Sequence, residues 1–130
     1  MDKEHRVSVY DMVKELNLKE VTPEINSKEV YIEQAEINRP ALQLAGFFDI
    51  FAQNRVQIIG KAEHLSIEEV EKDVENAKNI YKRFIGAGIP VIVFCRNLHP
   101  SEMMIRVAKE YGVPVLISQD TTSEFMAEVI

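Results

Sequence analysis

Few residues of this chain have the type and spacing that chemistry needs, and those few gather where apolar runs end. Gly60-Lys61 follows such a run, as the glycine and lysine of a phosphate-binding loop do. That loop wraps an anion in backbone N–H groups, which requires a glycine ahead of the pair and a hydroxyl after it. Here Arg55 and Ala62 stand at those two places, so the chain has no Walker A cradle. Gly86 and Gly88 follow a helical pattern rather than a strand, so they stop a helix and do not hold a dinucleotide. His5, His64 and His99 have no His or Cys partner at ligand spacing, and no metal site is predicted. His64 and His99 are expected in loops leading into helices, in solvated or capping roles. Cys95 ends an apolar run and is expected as a small core residue. No catalytic residue and no cofactor is assigned to the chain.

One constellation remains. In parallel sheets, ligands sit beyond the carboxyl ends of the strands. Those ends carry Gly60-Lys61, Arg96-Asn97 and the run from Gln119 to Thr122. Lys61, Arg96, Thr121 and Thr122 thus form a candidate edge for an anion or an acidic partner, although ordinary polar loops account for the same residues. Arg39 also has two readings, as an anion contact or as the partner of a nearby acid.

The elements that must position these residues follow from hydrophobic spacing. Val9, Met12, Val13 and Leu16 share one face of a short helix that Ser8 and Asp11 start as a capping box. Val30 to Ile32 predicts a short strand, Arg39-Pro40 a turn, and Ala41 to Ala45 a brief helix stopped by Gly46. Val56 to Ile59 is the next strand. A long helix is expected after it, with Ser66 as N-cap, Glu69 closing the capping box, and Gly86 and Gly88 at its end. Ile67, Val70, Val74, Ala77, Tyr81 and Phe84 form its buried stripe, and the acidic run from Glu68 to Glu75 its solvated side. Val91 to Cys95 is an unbroken apolar strand, buried on both faces. Pro100 opens a further helix carrying Met104, Val107, Ala108 and Tyr111, and Gly112 ends it before the strand Val115 to Ile117. Thr121 and Thr122 cap a last helix. Repeated strand-helix-strand units demand right-handed crossovers. The fold class is therefore α/β: a mostly parallel sheet of β-α-β units with helices on its faces.

The expected organisation is a single domain over residues 1–130, large enough to bury about two thirds of its surface. The last helix runs to Ile130 without a Gly or Asn stop, which predicts a fragment of a longer protein. The net charge of −6 argues against a nucleic-acid partner, which requires a clustered positive surface. No apolar run approaches the ~18 residues of a membrane span, and the first six residues do not resemble a signal peptide. One unpaired cysteine fits a cytoplasmic location.

The stretch Asn38-Arg39-Pro40-Ala41, then Leu44-Ala45-Gly46-Phe47-Phe48, then Arg55-Val56-Gln57-Ile58-Ile59-Gly60-Lys61-Ala62-Glu63 resembles the N-terminal domain of HPr kinase/phosphorylase. The likeness extends to the opening helix, to Arg96-Asn97-Leu98-His99-Pro100 and to Tyr111-Gly112-Val113-Pro114-Val115, nearly the whole chain. Asn38, Ala41 and Asn97 depart from the family's Ser, Gly and Gly and leave the local turns open. The resemblance implies a fold similar to the nucleotide-sugar-binding first domain of Mur ligases. It also implies a cytoplasmic, hexameric, bifunctional parent that phosphorylates a serine of HPr with ATP or pyrophosphate and removes that phosphate by phosphorolysis. That parent acts in the sugar phosphotransferase system and carbon catabolite repression, with ATP, Mg²⁺ and catalysis in a C-terminal kinase domain absent here. The implied role of this chain is a non-catalytic accessory or regulatory module, with HPr and the kinase domain as partners. The alternative is a stand-alone domain that senses an anion or a nucleotide-sugar.

Overall fold

The computed structural model describes residues 7–34 and 36–129, so His5, the first six residues as a whole and Ile130 lie outside it. Among the described residues, seven strands and six helices follow in chain order. These are β1 (Val7–Ser8), α1 (Val9–Leu16), β2 (Lys19–Glu20), β3 (Tyr31–Ile32), β4 (Ile37–Asn38), α2 (Ala41–Leu44) and β5 (Val56–Ile59). Then come α3 (Lys61–Val70), α4 (Val74–Ile85), β6 (Ile92–Phe94), α5 (Glu102–Tyr111), β7 (Val115–Ile117) and α6 (Thr122–Val129). A short 3-10 turn, Ser27–Glu29, precedes β3.

The main sheet has the order β2-β7-β6-β5-β4. Strands β4 to β7 are parallel and lie side by side in chain order, while β2 closes the far edge antiparallel to β7. Every crossover therefore steps the same way, and crossovers of one hand must stack their helices on one face. The packing agrees. Ile59, Ile92, Phe94, Val115 and Ile117 face a core built from α2, α3, α4 and α5, in which Tyr81, Phe84 and Met104 are fully buried. The alternate residues Val56, Ile58, Val93 and Leu116 face the other way, onto α1 through Val9 and Met12 and onto α6 through Phe125. Burial on both faces explains the unbroken apolar runs of β6 and β7, while β5 carries one buried polar residue, Gln57, whose amide is hydrogen-bonded. The mostly parallel α/β sheet with helices on its faces is thus as expected, and β1–β3 is a separate antiparallel pair. None of the described helices is long and apolar enough to cross a membrane.

Three local expectations need correction. The long helix is two helices. The first begins at Gly60, not Ser66: the Glu63 carboxylate reaches back to accept the Gly60 N–H at 2.7 Å, while Ser66 Oγ donates to the Ala62 carbonyl inside the helix. The helix breaks at Glu71, whose Oε2 accepts from Tyr81 Oη at 2.6 Å and from Ser101 Oγ at 2.7 Å. Asp73 then caps α4 by accepting the Asn76 N–H, and Val74 points to solvent instead of the core. Burial pushes the Tyr81 hydroxyl well above the usual phenol range, and its Glu71 partner adds to the effect. Finally, Ser101 rather than Pro100 opens α5, by accepting the Met104 N–H, and Tyr111 at its end is exposed.

Candidate functional site

The carboxyl ends of β5, β6 and β7 converge on a cleft of about 400 Å³. Its walls are Lys61, Ala62 and Leu65 from the start of α3, Arg96 after β6, and Thr122 and Ser123 from the start of α6, with Arg39 reaching in from the end of β4. Three of the four residues expected at this edge, Lys61, Arg96 and Thr122, therefore line one cavity. Thr121 does not. It caps α6: its Oγ1 accepts the Glu124 N–H at 3.2 Å and its own N–H donates to Glu124 Oε1 at 2.9 Å. That backbone donor holds the Glu124 carboxyl below its ordinary value.

Beneath the cleft the β5–α3 turn is tightly packed. Glu63 is almost fully buried, and its Oε1 also accepts from Arg39 Nη2 at 2.8 Å. Of the two readings of Arg39, the pair with a nearby acid is the one observed. A Cβ on Gly60 would lie 2.5 Å from Thr122 Oγ1 and 2.6 Å from Arg39 Nη2, so glycine is required here by close approach. The carboxylate of Glu63 also occupies the N–H that would start a phosphate-binding loop.

The β6 turn is held by backbone bonds from both neighbouring strand ends. Cys95 N donates to Ile59 O, Arg96 N to Asp120 O at 2.7 Å, and Asn97 N to Ser118 O. Arg96 and Asn97 both have left-handed backbones, with φ of 58° and 55°, in a tight turn closed by the Leu98 N–H on the Cys95 carbonyl. Left-handed backbone is natural for Asn, which explains how Asn97 serves where the family pattern has Gly. It is strained for Arg, by about 1 kcal/mol. A second of the three departures, Asn38, uses its amide to donate to the buried Gln57 Oε1 at 2.7 Å.

Cys95 is fully buried, with the Thr122 side chain near its thiol. Burial pushes the thiol up to about 11, against the smaller opposing influences of Thr122 and Arg39. A thiol that ionises less readily when folded contributes stability below pH ~9, and this contribution is lost as pH rises towards 11. Unfolding by urea at pH 8 and pH 10.5 should show a larger alkaline loss for the parent than for Cys95→Ala. Equal losses would contradict this assignment.

His64 lies within α3, not in a loop, and its Nε2 is 3.4 Å from the His99 carbonyl oxygen. Among the described residues no three His, Cys, Asp or Glu side chains cluster closely enough to hold a metal ion. The sequence did not single out Leu65, Ser123 or the Gly60–Thr122 approach. Their partners lie tens of residues away, and only the folded sheet brings them together.

Residues 7–130 match the family model described as HPr Serine kinase N terminus. The chain is 46% identical over 126 residues to the HPr kinase/phosphorylase of Lachnoclostridium phytofermentans, covering 97% of this chain and 40% of that protein. It is 35% identical over 124 residues to that of Alkaliphilus metalliredigens, covering 95% and 39%. The chain thus spans about two fifths of the length of these relatives. Among solved structures, one crystal structure covers 94% of this chain and 45% of its own, with a TM-score of 0.61 at 14% identity. It contains the CBS and DRTGG domains of the regulatory region of Clostridium perfringens pyrophosphatase, complexed with the activator diadenosine tetraphosphate. That likeness concerns the fold alone. The family match over nearly every residue, with relatives of one name, shows that this chain belongs to the HPr serine kinase N-terminal family.

Proposed function

We propose that this chain is the N-terminal, non-catalytic regulatory module of an HPr serine kinase/phosphorylase. The parent would use ATP or pyrophosphate with Mg²⁺ to phosphorylate a serine of HPr and would remove that phosphate by phosphorolysis. It would do so in the cytoplasm, as a hexamer, within carbon catabolite repression. The residues that bind nucleotide and metal would lie in the other three fifths of the relatives' length. The observation that carries the non-catalytic part is the Gly60 turn, where the Glu63 carboxylate takes the Gly60 N–H and the next hydroxyl position is Ala62. A negative group there opposes the polyphosphate that a kinase loop must hold.

The test is direct. The isolated 130-residue chain, given ATP, Mg²⁺ and HPr, should transfer no phosphate, and turnover would overturn the non-catalytic reading. In the longer relative from Lachnoclostridium phytofermentans, deleting this segment should keep phosphoryl transfer while changing the balance of kinase and phosphorylase rates. An unchanged balance would leave a positioning scaffold and remove the regulatory role.

The second reading is a module that senses an anion or a nucleotide-sugar on its own, with the fold likened above to Mur ligase first domains. The cleft at the strand ends favours it, and so does the recurrence of this fold in a regulatory region.

A further inference from the structure

Lys61 and Arg96 form no ion pair within 4.0 Å among the described residues, although acids outnumber bases by six over the chain. Both line the same cleft, and no carboxylate lines it with them. Arg39 adds a third cation, already engaged by the buried Glu63 below. Glu124 is the carboxylate whose field reaches Arg96, and its Oε1 accepts the Thr121 N–H. Lys61 and Arg96 therefore bring two positive charges to the cleft that no ion pair within 4.0 Å takes up among the described residues.

The backbone fixes the place on the cleft wall from which Arg96 extends. Arg96 sits in a strained left-handed turn tied to the β7 loop through Asp120, and Thr122 is wedged between Gly60 and Cys95. Backbone strain of this kind concentrates at ligand clamps. Leu65 is 57% exposed at the cleft, an apolar shelf beside the cations. A volume of about 400 Å³ lies within the range of small-molecule sites.

We infer that this cleft binds the phosphoryl group of a small phosphate ester, between Lys61 and Arg96, with the ester's organic part on Leu65. Arg96 supplies a planar fork suited to two phosphoryl oxygens, and Lys61 a point charge. The hydroxyls of Thr122 and Ser123, on the same cleft wall, complete the donor set. A dianion gains from both cations at once, and a carboxylate gains about half as much. The inference rests on the sensing reading above and gives it a ligand class.

The experiment titrates the 130-residue chain at constant ionic strength with phenyl phosphate, inorganic phosphate and phenylacetate, following backbone amide chemical shifts. Phenyl phosphate should produce saturable shifts at Lys61, Ala62, Arg96 and Thr122, binding about tenfold more tightly than phenylacetate and more tightly than inorganic phosphate. Arg96→Gln should weaken phenyl phosphate about tenfold or more, and Lys61→Gln by several-fold. Arg96→Gly accepts the left-handed backbone without strain, so it should unfold no more readily than the parent and still lose binding. The inference fails if phenyl phosphate gives no saturable shift at these amides up to about 20 mM. It fails equally if Arg96→Gly binds as the parent does, because Arg96 is then only a turn residue. Failure here removes the ligand class, and only turnover by the isolated chain or an unchanged rate balance in the deletion variant touches the module's proposed role.

Discussion

Phe125→Ala is expected to lower the stability of the chain by about 3–5 kcal/mol, read as a shift of the urea unfolding midpoint at constant slope. Phe125 is fully buried and packs in the core between the sheet and α1, against Val56, Ile58, Val93 and Leu116. Among the described side chains of α6 its ring is the main apolar contact with the sheet, since Met126 beside it is only half-buried. Truncation removes the transfer energy of a ring and leaves a void that neighbours on a rigid sheet cannot close. Phe125→Leu keeps most of the volume and should cost about 1 kcal/mol. The first turn of α6 carries Thr122 and Ser123, so the alanine variant should also loosen the cleft 3 residues away. A loss below about 1 kcal/mol for Phe125→Ala would mean that α6 is not seated as described.

Glu63→Ala should cost about 2–3 kcal/mol, the range of hydrogen bonds to a charged group together with the donor they leave behind. The carboxylate is buried and serves two donors, Gly60 N–H at 2.7 Å and Arg39 Nη2 at 2.8 Å. Removing it leaves the Gly60 amide without its acceptor, in a turn where Thr122 and Arg39 crowd the glycine. The Arg39 side chain is 42% exposed, so water can solvate it, which keeps the loss below that of a fully buried pair. Glu63→Gln preserves an acceptor oxygen and should recover about half of the stability. A double-mutant cycle with Arg39→Ala should return a coupling of about 1 kcal/mol, and zero coupling would show the pair to be incidental.

The strands β6 and β7 were legible because burial on both faces requires unbroken apolar runs, and β5 because its β-branched residues flank a single Gln57. The edge strands β2 and β4 were not. Lys19–Glu20 and Ile37–Asn38 are two-residue strands defined by the neighbours they pair with, Leu116–Ile117 and Val56–Gln57, and no local pattern marks them. The helix after β5 was misread for a physical reason: the stripe keeps its 3-4 spacing from Ile67 through Phe84 although the backbone breaks at Glu71–Asp73. The break comes from Tyr81 and Ser101 drawing in the Glu71 carboxylate, and those contacts span 10 and 30 positions. At the candidate site, Lys61, Arg96 and Thr122 were found because the ends of parallel strands share one edge. Thr121 was included because a cap and a ligand hydroxyl look the same in sequence. The crowding of Gly60 by Thr122 is written nowhere locally.

The antiparallel pairing of β2 with β7 has a consequence for biosynthesis. Lys19 pairs with Ile117, and the Thr22 hydroxyl accepts the Val115 N–H across 93 positions. Residues 19–22 therefore leave the ribosome long before their partners do, and α1 loses part of its seat for as long as Leu116 and Phe125 are missing. The nascent segment must stay unlatched, with its apolar face available to chaperones, until one of the last strands described here closes it.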